Sequence, residues 1–216
     1  MGGQRIEILP LVYNGGRLQL QINSCPASAN DAAQLSAFGY EELLANYQAG
    51  TDVTACVEKE KLREINDYLP LDFQYRQQLK NGSRSFNIQL EKGHCRRLLS
   101  ENTPEQIRRK RDLSSVKLAI GHLNSTLPQN DGFGLVLYQI VLENDTVRYR
   151  LSSSVQESAF TPEKWQEFFQ NMRKLDICTA DPSALGAIAS FGISSTLTLP
   201  SGREIRTTQQ AGDCAF

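Results

Sequence analysis

Five cysteines and two histidines are the residues of this chain best suited to chemistry: Cys25, Cys56, Cys95, Cys178 and Cys214, with His94 and His122. A thiolate is both a nucleophile and a metal ligand, and imidazole titrates near neutral pH. Structural zinc is not expected, because no C-x-x-C pair and no finger-like Cys/His spacing occurs. Disulfides are the other use. By position the natural pairs are Cys25 with Cys56 and Cys178 with Cys214. In the chain-entropy account, loops of such length stabilise by about 3–4 kcal/mol each. That is a large share of the roughly 5–15 kcal/mol that holds a small protein together. Such bonds imply an exported chain, periplasmic or extracellular; five reduced thiols would imply a cytoplasmic one.

Cys95 is the thiol left over. His94 precedes it and Arg96 and Arg97 follow, and cationic neighbours favour the thiolate. On an extended segment His94 would point to the opposite face, so a catalytic base would have to be His122, brought in by the fold. Cys95 with His122 is therefore the candidate pair for a cysteine-dependent hydrolase.

Other catalytic signatures are lacking. There is no G-x-S-x-G elbow, and Gly132-Phe133-Gly134 continues into neither a dinucleotide fingerprint nor a phosphate-binding Lys-Ser/Thr loop. Asn130-Asp131-Gly132 lacks the ligand spacing of a calcium loop. No cofactor and no metal is expected. The basic run Arg108, Arg109, Lys110 and Arg111 would spread around a helix, is diluted by Glu101, Glu105 and Asp112, and has no aromatics beside it for base stacking. It reads as a solvated connector, and a nucleic-acid partner is not expected. The formal net charge of -1 points the same way. Sequons at Asn81, Asn124 and Asn144 fall in turns and loops, where Asn is common anyway. No apolar run is long enough to span a bilayer as a helix, and the first residues lack the apolar stretch of a signal peptide.

The elements that must position these residues come in a repeating order. Hairpin signals stand at Asn14-Gly15, Asn81-Gly82, Asn144-Asp145 and Ser201-Gly202, each flanked by alternating apolar and polar residues. Helical patterns lie between the first and second signals and between the third and fourth. Glu58 to Leu69 would place Leu62, Ile65, Tyr68 and Leu69 on one face. Thr161-Pro162-Glu163 opens a helix with Trp165, Phe168, Phe169, Met172 and Leu175 on its apolar face. Thr103-Pro104-Glu105-Gln106 is a capping box that starts a third helix, running to about Lys117. Leu135 to Leu142 is nearly all apolar and reads as a central strand covered on both faces.

The expected fold is α+β: two small modules, each an antiparallel sheet of hairpins with a helix packed on one face. Residues 1–100 form the first module, 101–117 a basic helical connector, and 118–216 the second. The expected work is non-enzymatic binding of another protein, as an inhibitor, an immunity-type neutraliser, a chaperone-like partner or a subunit of a surface assembly. Outward aromatics and open sheet edges would supply the surface.

Overall fold

The structure, a computed structural model, describes residues 4–26, 38–79, 81–130, 134–179 and 191–209. The chain divides into two compact units, Met1–Leu118 and Ala119–Phe216.

In the first unit β1 (Gln4–Ile8), β2 (Val12–Asn14) and β3 (Arg17–Pro26) come first. Both short strands pair antiparallel with β3: β1 along residues 22–26 and β2 along residues 17–19. Pro10 sits in the break between them, where its missing N–H disturbs no ladder. Gly15 and Gly16 both take positive φ in the β2–β3 turn. Next come α1 (Tyr40–Asp52), a six-residue π-helical segment (Val53–Glu58) and α2 (Glu60–Tyr68). β4 (Leu71–Leu79) and β5 (Gly82–Leu90) form the second hairpin. α3 (His94–Glu101) follows, and α4 (Pro104–Ser125) runs past the unit boundary.

The two hairpins join through a parallel pair, Leu18 beside Leu71 to Ser24 beside Gln77. The sheet is thus mixed rather than purely antiparallel. Helices cross over between β3 and β4, as a parallel connection requires. Alternation then sorts the faces. Phe86, Ile88 and Leu90 of β5 are buried, whereas Ser85, Asn87 and Gln89 face solvent. Leu71, Phe73, Ile88 and Leu90 pack with Ala55, Cys56 and Cys95 beneath the helices.

The second unit repeats the order. β7 (Leu135–Glu143) and β8 (Thr146–Ser153) form a hairpin whose turn, Asn144-Asp145, has φ of 49° and 58°. That positive pair is the backbone of a type I′ turn. α5 (Pro162–Thr179) crosses over, and β9 (Gly192–Thr198) pairs parallel with β8 and antiparallel with β10 (Glu204–Gln209). A two-residue β6 (Gln129–Asn130) pairs with β7. In both units, then, a hairpin, a helical crossover and a second hairpin meet in a central parallel pair.

Trp165 and Phe169 of α5 are fully buried against Leu135, Leu151, Leu197 and Ile205. Burying aromatics of this size contributes on the order of 2–3 kcal/mol each. Trp165 also satisfies its indole N–H on the Glu157 carbonyl at 3.0 Å.

Three details differ from the expectations. β7 is not covered on both faces: Leu135 and Ile140 are buried, but Tyr138 is exposed beside an irregularity in the pairing between Leu137 and Gln139. That shift turns Tyr138 outward. In α2 Leu62 and Ile65 pack on the core, while Tyr68 is exposed and the buried residue of the helix is Asn66. Phe168 lies off the core face of α5 and stacks on Phe160, with ring centroids 5.7 Å apart.

Candidate functional site

Two features of the first unit stand out chemically. One is a cluster of Asp52, Cys56, His94 and Cys95; the other is its outer edge.

The cluster is assembled by the end of α1, the π-helical segment that follows it and the start of α3. Asp52 closes α1, Cys56 lies one turn on in the π-helical segment, and His94 and Cys95 open α3. Gly93 enters α3 at φ 74°, a conformation suited to glycine. Buried Asn66 fixes the approach. Its Oδ1 accepts the Cys95 N–H at 2.9 Å, its Nδ2 donates to the Glu91 carbonyl at 3.1 Å, and its own carbonyl accepts the Gly93 N–H at 2.7 Å. Asn is a mediocre helix former, and its place in the last turn of α2 is explained by these long-range bonds.

Cys56 is bonded to Cys95, with Cα atoms 4.9 Å apart. This corrects the expected Cys25–Cys56 pair. Cys25 is an exposed free thiol at the β1 side of the sheet, paired in register with Arg5, whereas Cys56 packs inward against α3. It also leaves Cys95 without a thiol: the residue is fully buried and already bonded, so it is not a free nucleophile. His122 stands in the last turn of α4, half-buried, and belongs to the second unit. The Cys178 side chain and Cys214 lie outside the described residues, and so does any bond between them.

His94 Nε2 lies 2.9 Å from Asp52 Oδ1, and Gln48 Nε2 donates to the same oxygen at 3.2 Å. Next to this pair, Thr51 Oγ1 and the Tyr75 hydroxyl are 2.7 Å apart. The Tyr47 ring packs tilted against Tyr75, with centroids 4.6 Å apart. Burial, and then the neighbouring Tyr75, push the Tyr47 phenol up to about 12. Burial raises Tyr75 as well, against the opposing hydrogen bond from Thr51. These phenols therefore stay neutral at physiological pH and act as packing groups, Tyr75 with its hydroxyl bonded to Thr51. Asp52, Cys56 and His94 present donor atoms within 4.8 Å of one another, the only such His/Cys/carboxylate group among the described residues. With Cys56 held in a disulfide, two of the three remain available to an ion.

The edge is apolar. Ile6, Ile8, Leu11, Val12 and Tyr13 are each half or more exposed, all on or between β1 and β2. Ile6 and Ile8 stand in register with Ser24 and Ile22 of β3. They continue the apolar face of the sheet beyond the part that the helices cover.

The basic run lies on α4. Arg108 pairs with Glu105 at 3.8 Å, Lys110 donates to Asn102 Oδ1 at 2.7 Å, and Arg111 contacts Asp112 at 3.0 Å and Glu58 at 3.5 Å. In the second unit the sheet face opposite α5 forms an open groove of about 440 Å³ with Arg148, Arg150, Arg206 and Tyr138 along it. Asn124, one of the sequons, clamps β7: its Nδ2 donates to the Ile140 carbonyl at 2.7 Å and its Oδ1 accepts the Ile140 N–H at 2.9 Å.

No helix among the described residues is long and apolar enough to cross a membrane. Comparison with protein-family models, curated proteins and solved structures finds no match to this chain.

Proposed function

We propose that this is a non-enzymatic binding protein whose partner is another protein, docking on the β1–β2 edge of the first unit. The observation that carries the reading is the set of five large apolar side chains left in water along two short strands. Ile6, Ile8 and Tyr13 stand opposite Ser24, Ile22 and Leu18 on one face while Val12 lies on the other, and exposed apolar side chains gathered at a sheet edge are characteristic of interaction sites. Among the described residues β1 and β2 pair with β3 alone, so their outer backbone groups can accept a further strand. An added strand would gain main-chain hydrogen bonds, and its alternate side chains would cover Ile6 and Ile8. The Cys56–Cys95 bond persists most readily in an oxidising setting, so we place the interaction in the periplasm or outside the cell. The hydrolase alternative, Cys95 with His122, loses support because Cys95 carries no free thiol.

The test is affinity capture from the native source with the wild-type chain and with Ile6→Lys/Ile8→Lys, followed by reconstitution with the purified partner. The expected result is a stoichiometric protein that the double variant releases, with affinity reduced at least about tenfold, as expected for desolvating two charges at an apolar contact. A partner held equally well by the variant would move the interface elsewhere. A wild-type chain that binds no protein would refute the reading.

A further inference from the structure

The His94–Asp52 pair adjoins the Cys56 end of the Cys56–Cys95 bond, and Cys95, one S–S bond further on, stands just outside that group. The bonded sulfur of Cys56 lies within 4.8 Å of donor atoms on both His94 and Asp52, and Cys95 is its direct partner. We propose that the same position has a second closure: in the reduced chain, Cys56, Cys95, His94 and Asp52 bind one Zn2+.

Two thiolates, an imidazole nitrogen and a carboxylate oxygen make a four-donor set of the kind that tetrahedral zinc accepts. Sulfur and nitrogen donors disfavour Mg2+ and Ca2+. The spacing in sequence is unlike a zinc finger, because Asp52 and Cys56 meet His94 and Cys95 at the start of α3 only in the fold. Supporting contacts are already in place. Gln48 holds the Asp52 carboxylate, and Asn66 holds the Cys95 backbone. Outer contacts of this type orient metal ligands and tune their affinity. The two sulfurs are fully buried while His94 and Asp52 are partly exposed, so an ion would enter from the His94–Asp52 side.

A cellular dithiol reduces the disulfide: its two sulfurs form their own S–S bond, and their two protons and two electrons leave Cys56 and Cys95 as thiols. Zn2+ then displaces both thiol protons to solvent and takes the two thiolates. Either crosslink ties the π-helical segment to the start of α3. The chain can therefore close this part of its core with Zn2+ before it reaches an oxidising compartment; there a disulfide oxidant takes two electrons from the two thiolates and is itself reduced to a dithiol, the Cys56–Cys95 bond forms, and Zn2+ leaves to solvent.

The experiment starts from the full chain carrying Cys25→Ser, which removes the exposed thiol. The protein is reduced in denaturant with a trialkylphosphine, which takes up one water oxygen per disulfide, and is refolded with Zn2+ or Co2+. Bound metal is counted by elemental analysis, and thiolate ligation is read from the charge-transfer absorption of Co2+. The expected result is one equivalent of metal with thiolate absorption in the reduced chain and none at this position in the oxidised chain. His94→Ala should lose that equivalent, and Asp52→Asn should weaken Zn2+ binding by about tenfold or more. Both variants keep their cysteines, so circular dichroism of their oxidised forms checks that they still fold. A reduced chain that binds no metal, or binds it equally well in the His94→Ala and Asp52→Asn variants, would overturn the proposal.

Discussion

Arg17 Nε donates to Asp72 Oδ1 at 2.8 Å, across the parallel pair that joins the two hairpins of the first unit. Asp72 is 4% exposed, and Arg17 stands just after the glycine turn. Glu91 reaches the same guanidinium at 3.4 Å. Removing one partner of a buried pair costs about 3–5 kcal/mol. Arg17 is partly solvated, so Arg17→Ala is expected to lower stability by roughly 1–3 kcal/mol. Denaturant titration of Arg17→Ala, Asp72→Ala and the double variant measures this. A coupling energy near zero would show that the pair does not pin the hairpins.

The disulfide closes a loop of sequence separation 39. Cys56→Ser/Cys95→Ser is expected to destabilise the first unit by about 4 kcal/mol in the chain-entropy account. The denaturation midpoint of the metal-free variant, followed by circular dichroism, gives the number. Cys25→Ser should leave it within about 0.5 kcal/mol, since that side chain is exposed.

High pH should weaken the protein through Tyr47. Its folded pKa of about 12 lies above the ordinary 10.0. An acid whose folded pKa is raised stabilises fully below its unfolded pKa and loses that contribution as pH rises through the folded one. The loss therefore falls between pH of about 10 and 12 and amounts to about 3 kcal/mol. Tyr47→Phe, followed by thermal melting across this window, should flatten the alkaline decline.

Glycine positions separate backbone cost from steric cost. Gly134 and Gly202 have φ of 85° and 86°. A Cβ on Gly202 meets open space, whereas one on Gly134 would stand 2.9 Å from Val155 Cγ2. Gly202→Ala should cost about 1 kcal/mol from the left-handed backbone alone. Gly134→Ala should cost measurably more. Equal melting temperatures for the two variants would contradict the contact.

In the second unit Phe169→Ala should cost about 3–5 kcal/mol, because the ring is fully buried beside Trp165. Trp165 is the one tryptophan, so its emission reports this core directly.

Local signals carried over well from sequence to structure. All four hairpin turns form where Asn, Asp and Gly permit positive φ or tight reversal. The Thr103 capping box forms in both directions: the Gln106 N–H donates to Thr103 Oγ1 at 3.2 Å, and the Thr103 N–H donates to Gln106 Oε1 at 2.7 Å. What failed was long-range. α4 continues past Lys117 to Ser125, since nothing in Leu118 to Asn124 breaks a helix strongly. The parallel junction of the hairpins has no local signature. The partner of Cys56 depends on where α3 docks, and that is fixed by Asn66, a residue whose sequence context looks ordinary. The exposed Ile6 and Ile8 had no signal of their own in the sequence, because their exposure depends on where the described helices cover the sheet.

The parallel junctions also set an order of events. Leu18 finds its neighbour in Leu71, and Val147 in Ile193, only after a whole helical crossover has been made. During synthesis β3 and β8 therefore emerge with one side vacant, and each first hairpin must persist as a half-sheet until the second hairpin arrives. The interval in which this protein is most exposed to misassembly is written into its topology, once in each half.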